Sequence, residues 1–221
     1  MIQKLLLSLF MFIFMVSAAK TEEKPLNVAI LVYEGVYLLD FAGPMEVFND
    51  ANLVSKPLFN VFTVSVSSSA IKAHTGLNFT SEYTIDNCPK PDILVVPGGS
   101  LNISENDPKL KDWIISTAKD AKIVMSVCTG AFTLARLGLL DGKEATTWHG
   151  ALAGLKKISD KIIVKSGVRY TDNGSLLTTA GISAGIDGSL YLVGKLFGKE
   201  TADKTAKYMD YEYWDGKSLS K

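Results

Sequence analysis

One cysteine in this chain sits where local sequence can make sulfur reactive. Residues 122–128 read Lys-Ile-Val-Met-Ser-Val-Cys, a short apolar strand pattern that stops at Cys128. Thr129-Gly130 then turn the chain into an Ala/Leu-rich stretch over residues 131–140 that predicts a helix. A cysteine on such a turn stands at the carboxyl end of a sheet, in front of a helix N-terminus. The unpaired N–H groups and dipole there favour thiolate over thiol. Cys128 is the candidate nucleophile, with a lowered pKa expected; a small buried packing residue is the alternative. Asp40, in Leu38-Leu-Asp-Phe-Ala-Gly-Pro44, follows the first strand and can reach the same sheet edge. Its carboxyl either exchanges protons with sulfur and substrate or caps the helix that starts nearby.

The remaining candidates are weaker in chemistry but share the place. Gly98 and Gly99 follow Pro97, and their N–H groups, with that of Thr129, form either an oxyanion hole or a plain tight turn. The Thr129 hydroxyl serves the substrate or the backbone at the helix start. His149 closes a strand pattern after the cysteine helix and is a candidate base, or else a satisfied polar residue at a strand end. Glu46, one turn into the first helix, faces pocket or solvent. Asp187 opens a late helix, where its carboxylate complements the dipole, and His74 reads as structural. The sequence carries no metal-ligand spacing, no phosphate loop and no Gly-x-Gly-x-x-Gly, so no cofactor is expected.

The elements that must position these residues alternate strand and helix. Residues 27–33, 59–66, 92–96 and 122–127 are apolar strand runs. Helices are expected over a segment that Pro44 helps to open, and over 108–118, 131–140, 150–158, 183–197 and 199–213. Residues 144–149 read as a further strand and 71–85 as short hairpin strands. The Asp172-Asn-Gly174 turn marks a hairpin between 168–171 and 176–179. This alternation predicts an α/β fold: a doubly wound, mostly parallel sheet with helices on both faces, a flavodoxin-like three-layer sandwich with small added hairpins. Its sites lie at the carboxyl ends of strands, in the loops after Val32, Val96 and Val127.

Residues 1–19 read as a secretory signal peptide: Lys4 ahead of an apolar run over 5–16, then Ser17-Ala18-Ala19 for cleavage. That run is shorter than the ~20 residues needed to cross a bilayer. A periplasmic or secreted protein with a single domain over 20–221, without stable membrane association after cleavage, is therefore expected. Lys plus Arg (23) equals Asp plus Glu (23), which gives no field for nucleic acid. A Cys88–Cys128 disulfide is not expected, because the two lie at opposite ends of neighbouring parallel strands. The aromatic cluster of Tyr208, Tyr211, Tyr213 and Trp214 reads as helix packing or a subunit contact.

Four segments carry a resemblance: Leu39-Asp-Phe-Ala-Gly-Pro-Met-Glu-Val-Phe48, Pro91-Asp-Ile-Leu-Val-Val-Pro-Gly-Gly99, Ser126-Val-Cys-Thr-Gly-Ala131 and Thr178-Thr-Ala-Gly-Ile-Ser-Ala-Gly-Ile-Asp187. With them the chain resembles the ThiJ/PfpI superfamily, of class I glutamine amidotransferase-like fold. Within it, the chain is most similar to the branch of isonitrile hydratase and the amidase-like domains of AraC-type regulators. The resemblance implies Cys128 as nucleophile, Asp40 as its acid and Thr129 as a further catalytic residue. Gly98, Gly99, Glu46, Trp148 and His149 are then the expected substrate contacts. It implies cofactor-free addition of water to a small isonitrile-like substrate, giving an N-substituted formamide. Amidase- or peptidase-like hydrolysis, glyoxalase-like chemistry and a non-catalytic cysteine redox sensor or binding module are the alternatives. A homodimer is implied by the habit of the superfamily. Branch members often read Thr-Thr-His-Trp where this chain has Thr146-Thr-Trp-His149. On an alternating strand, that swap directs Trp148 to the site instead of a histidine. Only residues 215–221 follow Trp214, so a DNA-binding domain is not expected.

Overall fold

The computed structural model describes residues 24–99, 107–212 and 215. The expected signal peptide, Tyr213 and Trp214 lie outside the described residues.

Strands β1 (Leu26–Leu31) and β2 (Phe59–Ser65) pair in parallel, with Leu26 opposite Phe59. On its other side β1 pairs in parallel with β6 (Ile93–Val96), which pairs with β7 (Ile123–Ser126). Beyond β7 lies β11 (Leu176–Thr179), then antiparallel β10 (Tyr170–Asp172). On the far edge β5 (Tyr83–Thr84) follows β2. The seven-stranded order is β10-β11-β7-β6-β1-β2-β5. Two small pairs stand apart: β3 (Ile71–Lys72) with β4 (Asn78–Phe79), and β8 (Glu144–Ala145) with β9 (Ile163–Val164).

Every residue of β6 and β7 is buried, as required of strands covered on both faces. Helix α1 (Leu38–Leu53) carries the chain from β1 one way along the sheet, whereas α2 (Pro108–Asp120) carries it from β6 the opposite way. With right-handed crossovers, that reversal puts α1 and α2 on opposite faces. Helices α5 (Ala184–Phe197) and α6 (Lys199–Tyr208) pack with α1, while α3 (Gly130–Arg136) packs with α4 (Leu152–Ile158). The doubly wound α/β fold is thereby established. The topological switch falls between β1 and β6.

Several expected boundaries change. Pro44 does not open α1, which begins six residues earlier after Tyr37. The burial of Phe41, Pro44, Val47, Phe48 and Ala51 outweighs the one helical donor that proline lacks. Helix α3 ends at Arg136 instead of 140, because Gly138 takes φ 74° and Leu139 N–H closes on Leu134 C=O at 3.0 Å. Helix α6 stops at Tyr208 instead of 213 by the same device. There Asp210 takes φ 51° and Tyr211 N–H donates to Ala206 C=O at 2.8 Å. The strand expected over 144–149 is only β8; a 3-10 turn begins at His149. Strand alternation therefore does not govern where Trp148 and His149 point.

Candidate active site

Cys128 is presented by a turn that cannot relax. Val127 N–H still donates to Val96 C=O at 3.0 Å, so the β6–β7 ladder runs to the residue before the cysteine. Cys128 itself takes φ 56°, in the left-handed region. Its own backbone is held from two directions, by its N–H on Ala180 C=O at 3.0 Å and by the Thr147 hydroxyl on its C=O at 2.7 Å. Gly130 completes the turn. A Cβ there would stand 2.0 Å from Val96 C=O, so only glycine lets α3 start this close to β6. The Cys128 side chain ends up buried, with 4% of the residue exposed.

Asp40 arrives from the neighbouring loop as the third residue of α1, and it caps nothing. It is fully buried, and its Oδ2 accepts the Gly98 N–H at 3.0 Å. Its Oδ1 is buried without a hydrogen bond of full geometry. The Cys128 thiol and the Ile182 N–H lie near enough to favour the charged carboxylate. Gly98 is required by this approach, since a Cβ would fall 2.6 Å from Asp40 Oδ2 and 2.7 Å from Thr129 Oγ1.

The electrostatics reverse one expectation. Burial pushes the Cys128 thiol up to about 12; the neighbouring Asp40 charge adds to this, and the Thr129 and Ile182 N–H groups only partly oppose it. A helix N-terminus does not yield a thiolate here, because desolvation and a like charge outweigh two N–H donors. Burial likewise pushes Asp40 up to about 6, against the Gly98 N–H, the Cys128 thiol, His74 and the Ile182 N–H. The two groups therefore hold one proton between them at neutral pH, with sulfur as a thiol beside a carboxylate.

The glycine oxyanion hole is also corrected. Gly98 N–H is spent on Asp40, and Gly99 N–H donates to Thr129 Oγ1 at 3.2 Å. The N–H groups near enough to favour a charged sulfur are those of Thr129 and Ile182. Trp148 is exposed, and its ring lies against Gly181, one residue before Ile182; a Cβ on Gly181 would meet Trp148 Cδ1 at 2.6 Å. His149 is exposed and packs at 5.0 Å from Trp148, ring centre to ring centre. Glu46 is exposed on α1 and turns from the pocket to solvent, because buried Val47 and Phe48 fix that helix's inner face. Asp187 does more than face the α5 dipole: it takes the Arg169 guanidinium and the Tyr211 hydroxyl. His74 stacks on Tyr37 at 3.9 Å, and both Cys88 and Cys128 are free thiols.

Sequence reasoning missed Ile182 and Tyr33. Ile182 takes φ 56° and works through its backbone N–H, which no residue-type pattern reveals. Its quoted neighbourhood, Gly-Ile-Ser-Ala-Gly, is the only signal that was present. Tyr33 packs behind Gly99 and donates to Pro97 C=O at 2.7 Å, with burial first and then the Asp40 charge driving its phenol far upward.

The chain is similar to several known proteins. Isonitrile hydratase from Pseudomonas putida is 36% identical over 187 residues, which is 84% of this chain and 78% of the hydratase. The HTH-type transcriptional regulator GbdR of Pseudomonas aeruginosa is 26% identical over 189 residues. That match covers 85% of this chain and 51% of the regulator, so the chain spans about half of that relative's length. In fold, the crystal structure of Drosophila melanogaster DJ-1beta superposes with TM-score 0.76 at 18% identity, over 86% of this chain and all (100%) of that one. The profile of the DJ-1/PfpI family matches residues 26–193, the span from β1 into α5 that builds the whole Cys128 site, and the chain belongs to that family.

Proposed function

We propose that this protein is a cysteine-dependent hydratase that adds water to a small isonitrile and releases an N-substituted formamide. The arrangement that carries the reading is Cys128 on a left-handed turn (φ 56°) beside a buried Asp40 whose Oδ2 accepts the Gly98 N–H at 3.0 Å, where burial leaves the pair one proton to share. Hydration of an isonitrile must deliver a proton and a nucleophile to the same carbon, and a thiol beside a carboxylate holds both. Similarity to a hydratase at 36% identity supports it.

In this mechanism the thiol proton passes to Asp40 as sulfur bonds to the terminal carbon of R–N≡C. Asp40 then gives the proton to that carbon, leaving a thioformimidate on Cys128. The Thr129 and Ile182 N–H groups stabilise the charge on sulfur as the S–H bond breaks. Asp40, again a carboxylate, takes a proton from water as the water oxygen adds to the same carbon, and passes it to nitrogen. The C–S bond breaks, the hydroxyl proton returns to sulfur through Asp40, and the formamide leaves. One water is consumed and nothing is oxidised. Trp148, exposed beside Gly181, contacts the N-substituent. The character of residues 1–19 supports action outside the cytoplasm.

The test is turnover of an alkyl isonitrile, methylglyoxal and a chromogenic amide by the protein and by Cys128→Ala. Formamide from the isonitrile, absent in the variant, is expected. Amide cleavage or methylglyoxal consumption without formamide would replace this reading with hydrolase or glyoxalase chemistry.

A further inference from the structure

Ile182 takes φ 56°, a costly conformation for a β-branched residue, in the turn whose Ala180 C=O accepts the Cys128 N–H at 3.0 Å, and there its N–H is near enough to favour the charged forms of Cys128 and Asp40. Something must prevent its escape. The next residue, Ser183, is the N-cap of α5, and serine there ordinarily bonds to an N–H of its own first turn. Ser183 does not: it has αR dihedrals (φ −64°, ψ −21°) and makes no capping bond. Its Oγ instead accepts Arg169 Nη2 at 3.0 Å. The same guanidinium donates from Nε to Asp187 Oδ2 at 2.7 Å, in the first turn of α5, and its Nη2 also meets that oxygen. Asp187 is buried and fixed from its other side by the Tyr211 hydroxyl at 3.0 Å. Arg169 itself lies just before β10, and its C=O accepts the Ala180 N–H at 2.8 Å, two residues before Ile182.

We propose that Arg169 is a positioning residue that keeps Ser183 from capping α5 and thereby holds the Ile182 N–H on the Cys128–Asp40 pair. Without the guanidinium, Ser183 is free to move to the extended dihedrals of an ordinary N-cap. Ile182 then leaves its left-handed conformation and withdraws the N–H. The assignment rests on Cys128 and Asp40 as the reacting pair, but its test reads sulfur reactivity and needs no substrate.

The experiment measures alkylation of Cys128 by iodoacetamide at pH 8 in a Cys88→Ser background. Loss of one N–H donor to the thiolate is expected to slow alkylation about tenfold in Arg169→Gln. Arg169→Lys keeps the charge but cannot span Ser183 and Asp187, so it is expected to be similarly slow. The double change Arg169→Gln/Ser183→Ala removes the competing cap and is expected to recover most of the rate. A merely structural role predicts the opposite sign, because a loosened turn exposes sulfur and speeds alkylation. Should Arg169→Gln fail to fold, Arg169→Gln/Asp187→Asn leaves no buried unpaired charge and carries the same expected slowing. Faster or unchanged alkylation in the folded variant, or a double variant as slow as the single one, overturns the proposal. Failure of isonitrile turnover with these alkylation rates intact would fall on the proposed reaction instead.

Discussion

Asp40→Asn is expected to make the protein more stable and less active at once. Asp40 is fully buried, and burial raises its pKa from 3.8 to about 6. The folded state therefore holds the Asp40 proton more tightly than the unfolded chain does. The stability this contributes is complete below pH 3.8 and is lost as pH rises through about 6. At pH 7 the ionised carboxylate, moved from 3.8 to about 6, costs ~3 kcal/mol. Asparagine is nearly isosteric, can still accept the Gly98 N–H, and carries no charge into the site. The variant should then gain roughly 2–3 kcal/mol at pH 7, about half of that at pH 5, and almost nothing at pH 3. In a domain of this size the pH 7 gain corresponds to roughly 5–10 °C in Tm. Urea unfolding of both proteins at the three pH values, followed by tryptophan fluorescence, measures it. A variant that is less stable at pH 7, or a gap that does not shrink toward pH 3, would refute the burial argument and with it the shared-proton site.

Activity should rise with pH through an acid limb near 6, because Asp40 must be ionised to accept the thiol proton; a pH profile of kcat/KM flat from 5 to 8 would remove Asp40 from that role. Gly98→Ala and Gly130→Ala should fail differently. The Cβ at 98 meets the Asp40 and Thr129 side chains at 2.6 and 2.7 Å and the Thr129 main-chain nitrogen at 2.9 Å, a milder main-chain approach than at 130, so turnover should fall at least a hundredfold in a protein that still folds. The Cβ at 130 meets main-chain Val96 C=O at 2.0 Å, so the fold itself should be lost by several kcal/mol. Circular dichroism and urea midpoints separate the two, and a Gly130→Ala protein of wild-type stability would contradict the close approach of α3 to β6.

Features set by local pattern were legible in the residues alone. The apolar runs at 93–96 and 123–126, the turn at Cys128 and the hairpin at Asp172 to Gly174 each follow from a few adjacent residues, and with them the α/β class and the sheet edge bearing Cys128. Even the early stop of α3 was written in Gly138. Tertiary structure decided the rest, because the remaining features are sums over distant neighbours. Pro44 sits inside α1 because the sheet buries the residues around it. The thiol at Cys128 is raised instead of lowered because its surroundings exclude water and bring Asp40 from the first turn of α1, which no helix N-terminus visible in sequence could anticipate. Ile182 joins the site through a main-chain N–H held by a guanidinium 13 positions earlier in the chain. Side-chain types announce where chemistry can occur, but the proton's position is set by burial and backbone dipoles, and those exist only once the chain has folded.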